Sequence, residues 1–331
     1  PEPREILDPR LGWDYRAGYA QGPDTINSMG LRSSGEYEPL PAEGTTRVAA
    51  FGDSFTYCVE VANPDCWTTL IERGWNAEVL NYGVGGYGTD QAYLKYQEVG
   101  AVLGPSIALI GFAPVDLGRI VNRYRGFLSQ LEGPWFKPRF EFRDGDLSLL
   151  PPPIGSRQDA EALLRDPSRL SEIGQNDYWY QPAIYEHALY EFSATYRLAA
   201  FVMNRLSRTF LDPNRLFDGD VFRPESEAFR IQVAVMSQFA ESARGAGAEP
   251  VMLILPGFTD VDRHREGLEV SYGPLLDTLL ARDYEVIDPV QAMANRASTE
   301  VLFAPGGHYS PAGNAAVAAV VAEALGLSSR P

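Results

Sequence analysis

The chain has 331 residues, 45% of them hydrophobic and 22% charged. This is ordinary globular composition, long enough for one large domain or two small ones with a substantial core. Formal net charge is −16, so the chain repels nucleic-acid phosphates and anionic membranes, and neither is an expected partner.

Residues 1–46 are rich in Pro, Gly and polar residues with little periodicity and read as an irregular arm, most ordered over Ile26-Asn27-Ser28-Met29-Gly30-Leu31-Arg32. From Val48 the pattern alternates between strand and helix: strand at 48–52, helix at 65–75, strand at 78–82, a helix after Thr89-Asp90, strand at 107–112. Between about 123 and 222 the alternation stops. Pro134-Trp135-Phe136-Lys137-Pro138 and Pro151-Pro152-Pro153 interrupt long elements. A hairpin is expected around Asp144-Gly145, and 185–206 has helical periodicity. The alternation then resumes with a helix at 225–244, a strand at 250–255, a helix at 272–280 and a strand at 285–288. A closing helix follows at 311–325, with Ser310 as N-cap and Pro311 in its first turn. Strands alternating with helices imply βαβ units and a parallel sheet. The segment 123–222 is an insertion into that frame, because the alternation continues after it.

Gly52-Asp53-Ser54-Phe55 directly follows the apolar run Val48-Ala49-Ala50-Phe51. A strand that ends in a small residue, an acid and a serine delivers a hydroxyl to the carboxyl edge of the sheet, where open α/β folds keep their sites. The following turn starts a helix, whose free N–H groups favour a developing oxyanion. The plain alternative is that Asp53 or Ser54 only caps that helix.

A serine nucleophile needs a base that titrates near neutrality, and the chain has three histidines. His187 lies in the insertion and His264 in an expected polar loop after Asp262-Arg263. His308, in Ala304-Pro305-Gly306-Gly307-His308-Tyr309-Ser310-Pro311, precedes the last helix, in a loop that gathers at the same sheet edge as Ser54. His308 is therefore the expected base. Gly83, Gly85 and Gly86 end the second strand, where a backbone can approach a substrate closely. Cys58 and Cys66 match no zinc pattern and are either a small-loop disulfide or two buried thiols. No run reaches the roughly 20 apolar residues of a membrane span. The chain begins Pro1-Glu2-Pro3 and reads as trimmed, with a leader or anchor removed. A secreted, periplasmic or membrane-anchored protein is expected, with the cytoplasm left open.

With these residues in place, the chain resembles the SGNH hydrolases, the GDSL esterase/lipase superfamily. Gly52-Asp53-Ser54-Phe55 is similar to their first block, Asn81-Tyr82-Gly83-Val84-Gly85-Gly86-Tyr87-Gly88-Thr89-Asp90 to the second, and His308 with Ser310-Pro311-Ala312-Gly313-Asn314 to the last. The likeness spans 47–122 and 224–326, within a hydrolase-like domain at 47–331. It implies a three-layer, flavodoxin-like α/β/α sandwich with a mainly parallel five-stranded sheet in the order 2-1-3-4-5. It implies Ser54 as nucleophile, His308 as base and oxyanion N–H groups from Ser54 and Gly85 or Gly86, with Asp53 and Asn81 counted among the oxyanion and substrate-binding groups. No metal or organic cofactor is implied.

Two positions depart from the family pattern. The third block's oxyanion asparagine is replaced by Val115 or Asp116 in Gly111-Phe112-Ala113-Pro114-Val115-Asp116, with Asn122 the nearest amide in sequence. An ionised carboxylate cannot donate. The aspartate usually found just before the histidine is also absent, since Pro305 and Gly306 stand there. Asp116, completing an unusual triad, or a backbone carbonyl would then orient His308. The expected function is a serine esterase acting on an O-acyl, short-chain or acetyl ester of a small molecule or carbohydrate. The alternatives are an acyltransferase using the same acyl-enzyme, or a diverged carbohydrate-binding protein on this fold.

Overall fold

A computed structural model describes residues 2–129, 133–166, 168–186 and 189–330; His187 lies outside them. The arm opens with a hairpin, β1 (Glu5–Asp8) against β2 (Gly12–Tyr15). β3 (Thr46–Phe51), β4 (Ala77–Asn81) and β5 (Ile107–Phe112) follow. The insertion carries two further hairpins, β6 (Arg139–Arg143) with β7 (Asp146–Leu150) and β8 (Phe217–Asp218) with β9 (Val221–Phe222). β10 (Glu249–Ile254) and β11 (Glu285–Ile287) complete the central sheet. That sheet is parallel throughout, in the order β4-β3-β5-β10-β11. Counted within the sheet, this is the expected order 2-1-3-4-5.

The two-residue period of a strand sends alternate side chains to opposite faces, and here it builds two cores. Ala49 and Phe51 of β3, Ala108, Ile110 and Phe112 of β5, and Met252 and Ile254 of β10 face one side. There they meet α3 (Thr89–Val99) and the helix Glu227–Gly245. Val48, Ala50, Ile107, Leu109, Val251 and Leu253 face the other, against Trp67, Ile71 and the closing helix Pro311–Ala324. A sheet covered on both faces needs apolar residues at every position, which is why these strands read as continuous apolar runs. The connecting helices are α1 (Ser54–Tyr57), α2 (Trp67–Gly74), α3 and α4 (Asp116–Arg119). Among the described residues no helix is long and apolar enough to cross a membrane.

The arm is more ordered than its composition suggested. Leu11, Trp13, Tyr15, Ile26 and Leu31 are buried in the first core. Gly12 makes this docking possible: at φ +91°, a Cβ there would lie 2.0 Å from the Phe136 carbonyl oxygen. The β1–β2 strands are too short to show a period in sequence, and their burial comes from contacts remote along the chain. In the insertion, Asp144 and Gly145 take positive φ values of 54° and 93°, the turn that two-residue hairpins favour. The 185–206 stretch is split into Pro182–Tyr185, Leu189–Phe192 and Ala194–Leu206.

Lys137 ties the start of the insertion to α3. Its fully buried ammonium donates to the buried Asp90 carboxylate and to the Pro138 carbonyl at 2.8 Å. Removing one member of a buried ion pair strands the other in a medium of low polarity. Lys137→Met is accordingly expected to lower unfolding free energy by about 3–5 kcal/mol, read from urea denaturation; an unchanged midpoint would contradict it.

Candidate active site

β3 ends at Phe51, and the chain turns sharply through Gly52 into α1. A Cβ at Gly52 would sit 2.1 Å from Thr56 Oγ1, so only glycine fits. Asp53 caps α1, its Oδ1 accepting from the Phe55 N–H at 2.9 Å. Ser54 is the first helical residue and its hydroxyl opens onto a cleft of about 480 Å³.

His308 reaches the same cleft from the loop before the closing helix. Its Nε2 lies 2.8 Å from Ser54 Oγ. Its Nδ1 lies 3.1 Å from Glu60 Oε2. The two oxygens of Glu60 also accept from the backbone N–H groups of Gly306 (2.8 Å) and His308 (3.1 Å). Partial burial pulls the Glu60 carboxyl upward, but these N–H bonds and the facing imidazole outweigh it and hold it below the usual carboxylate range. The tautomer that satisfies all three groups has Nδ1–H donating to Glu60 and Nε2 accepting from the serine hydroxyl. Phe55 packs on the imidazole with ring centroids 5.0 Å apart.

Glu60 was not a sequence candidate. It follows Ser54 by six positions, at φ +74°, inside a loop closed by a Cys58–Cys66 disulfide with Cα atoms 5.4 Å apart. The disulfide resolves the cysteine alternatives. The only sequence signal for Glu60 is an acid between two cysteines just after the nucleophile motif. Asp116 does not take this role. Its buried carboxylate accepts from the Ala113 N–H at 3.2 Å and from Arg119 at 3.1 Å. Desolvation, then the neighbouring Asp53, push it well above the ordinary range, with Arg119 opposing. The same Arg119 guanidinium lies 3.0 Å from Asp53 Oδ2. Asp53 is thus a buried cap and ion-pair partner, not a substrate contact.

Asn81 is likewise internal. Its amide donates to the Thr56 carbonyl at 2.8 Å, and its oxygen accepts from the Gly83 N–H at 3.0 Å. It joins the glycine turn to α1 and does not line the cleft. Gly85 and Gly86 do line it. The Gly85 N–H donates to the Tyr15 hydroxyl at 2.9 Å. The N–H groups of Ser54 and Gly86 make no hydrogen bond among the described residues, which leaves them open to an anion. Gly86 has φ +79°, a conformation that favours glycine. The missing asparagine has no replacement in its own segment. Val115 is 45% exposed and apolar, and Asn122 is buried, donating to Tyr124 and Asp177. His264 lies in the helix Phe258–Arg265 rather than in a loop, and is not part of the cleft.

Two features lie at and next to the cleft, the second through Phe55 and Gly307, the chain neighbours of Ser54 and His308. On one side the cleft is walled by Trp13 and Trp135, with ring centroids 5.8 Å apart. On the other, a pocket of about 330 Å³ is lined by Phe55, Val115, Phe222 and Phe258. Among the described residues no group of three or more His, Cys, Asp and Glu side chains is arranged to hold a metal ion.

No protein-family model matches the chain, and no curated protein matches it. Several solved structures do. A putative lipolytic protein of the G-D-S-L family from Desulfitobacterium hafniense is 14% identical over 85% of this chain and 99% of its own, with a TM-score of 0.41. A putative acylhydrolase from Bacteroides fragilis is 12% identical over 87% and 90%, at 0.41. An acetylxylan esterase from Geobacillus stearothermophilus is 11% identical over 87% and 97%, at 0.42. Likeness at this level decides nothing about what the chain does. The chain's own strand pairing and helix placement give it the three-layer α/β/α fold that the resemblance to the SGNH hydrolases implied.

Proposed function

We propose that the chain is a serine hydrolase of the SGNH type that cleaves O-acyl esters, with Ser54 as nucleophile, His308 as general base and Glu60 as the acid that orients the imidazole. The observation that carries this reading is the continuous relay Ser54 Oγ–His308 Nε2 at 2.8 Å and His308 Nδ1–Glu60 Oε2 at 3.1 Å. Ser54 Oγ attacks the acyl carbon while its proton passes to His308 Nε2. The carbonyl π electrons move to oxygen, and that oxyanion rests on the N–H groups of Ser54 and Gly86. When the intermediate collapses, the bond to the leaving alkoxide breaks and Nε2 returns the proton to it. Water, deprotonated by His308, then releases the acid and restores Ser54. Glu60 stabilises the imidazolium formed in both halves.

The finer reading is an acetyl or short acyl group on a carbohydrate. The half-buried Trp135 ring at the cleft suits a sugar ring, and the apolar pocket beside Phe55 suits a small acyl chain. The disulfide supports an oxidising compartment, hence an exported protein.

With a short-chain p-nitrophenyl ester, Ser54→Ala is expected to fall to background, and equal rates for variant and wild type would end this reading. Glu60→Gln is expected to lower kcat by about 10²–10⁴-fold with KM little changed, since a triad acid acts on the imidazolium of the transition state. Acid release against acyl-sugar formation, followed by mass spectrometry with an added sugar, separates hydrolysis from transfer.

The pH dependence has a definite sign. The Glu60 carboxyl is held below the usual carboxylate range, so its bonds to residues 306–308 should contribute stability that is present above that range and lost as pH falls through it. In Glu60→Gln this acid-side loss of melting temperature should disappear; a curve of melting temperature against pH that matches the wild type would contradict that contact. Replacing both Cys58 and Cys66 by Ser frees the eight-residue separation that carries Glu60. It is expected to cost about 2–3 kcal/mol of stability and to lower kcat, with no further loss in a Glu60→Gln background.

A further inference from the structure

The hydrolase reading leaves the oxyanion with two backbone donors and no side-chain donor from the third block. The geometry points to Tyr15, on the N-terminal arm, as the missing donor: its phenol O–H completes the oxyanion hole beside Ser54 and Gly86. This inference rests on the proposed hydrolase function and adds a catalytic residue to it.

Tyr15 closes β2, and its hydroxyl oxygen accepts from the Gly85 N–H at 2.9 Å. A Cβ at Gly85 would lie 2.6 Å from that oxygen, so the glycine is what lets the phenol come so near. Ser54, Gly86, His308 and Tyr15 all line the same cleft. Having accepted from Gly85, the phenol oxygen still carries one hydrogen, and that hydrogen meets no acceptor among the described residues. Burial raises the phenol to about 12, with Arg4 and the Gly85 N–H opposing, so the group is a donor at any pH where the enzyme would work.

The oxygen is also held in place. The Trp13 indole donates to the Gly85 carbonyl at 3.1 Å, and the Tyr87 hydroxyl donates to the Trp13 carbonyl at 2.6 Å. Lys95 bonds Asp14 at 2.6 Å, and the Tyr15 ring packs on Tyr57 with centroids 4.5 Å apart. These contacts fix β2 against the glycine turn. An N–H donating to an O–H that itself donates onward forms a polarised chain, and each bond strengthens the next. Gly85 would thus act on the oxyanion through Tyr15, while Gly86 acts directly.

The test compares wild type, Tyr15→Phe and a variant with 3-fluorotyrosine placed at position 15, using p-nitrophenyl acetate hydrolysis and Ser54 labelling by a fluorophosphonate. Loss of one oxyanion donor costs about 10²–10³-fold in kcat. Tyr15→Phe is expected to show that loss with KM little changed and the same melting temperature. The fluorinated phenol is a more acidic donor of nearly the same shape, so it is expected to exceed the wild-type rate. It keeps the packing, so an unchanged rate with it overturns the inference even where the phenylalanine variant is unstable. If wild type hydrolyses and labels while Tyr15→Phe matches it, the inference falls and the hydrolase reading stands. If Tyr15→Phe is faster, the phenol blocks the hole rather than completing it, and the inference is overturned. If wild type neither hydrolyses nor labels, both fall together.

Discussion

Both oxygens of the Glu60 carboxylate are engaged by one loop: two backbone N–H groups and the imidazole of residues 306–308. This contact sets where His308 can stand. Without it, a loop with glycines at 306 and 307 would have many conformations, and the imidazole would meet Ser54 only part of the time. The carboxylate is itself held on a short loop whose ends are joined by the Cys58–Cys66 disulfide. The arrangement replaces an acid two or three residues before the histidine with one six residues after the serine. Chemically the two are equivalent, because only the position of the carboxylate relative to Nδ1 matters.

Beneath the serine, a second charge cluster does a structural job. Arg119 lies between Asp53 and Asp116, within 3.0 Å of one and 3.1 Å of the other. Two buried carboxyl groups this close need a cation or a shared proton between them, which is why Arg119 sits there and Asp116 is pushed toward its neutral form. Asp53 caps the helix that begins at Ser54, so the pairing also steadies the backbone at Ser54. Asp116, offered by its sequence position as a catalytic group, is held instead by Arg119 and the Ala113 N–H. Its neighbour Val115 turns outward to line an apolar pocket instead.

The arm is part of the site rather than an appendage. Trp13 and Tyr15 come from β2, pack into the core on the face of the sheet that carries α3, and close one wall of the cleft. The hydrogen bonds between this strand and the glycine turn at 85–87 run in both directions. The second-block glycines therefore serve two partners: the open cleft through Gly86 and the arm through Gly85.

The strand–helix alternation, the helix that starts at Ser54 and the loop that carries His308 were legible in sequence, and the sheet order was what the resemblance to the SGNH hydrolases implied. Alternating strand and helix patterns are local, and the right-handed parallel crossover leaves few ways to assemble them. Asn81 and Asp53 were also legible as motif members, yet their buried bonds show them holding the turn and the cap. Glu60, Tyr15 and Arg119 were not legible as site residues. Each acts through a contact made only after remote segments have folded together, 248 positions apart for Glu60 and His308, 70 for Tyr15 and Gly85, 66 for Arg119 and Asp53. By itself the sequence determined the scaffold and which hydroxyl and imidazole would share an edge, because local periodicity and strand order decide both. Only the tertiary structure decided which carboxylate stands against the imidazole and which side chains close the cleft around Ser54, because those are distances between side chains that no spacing along the chain encodes.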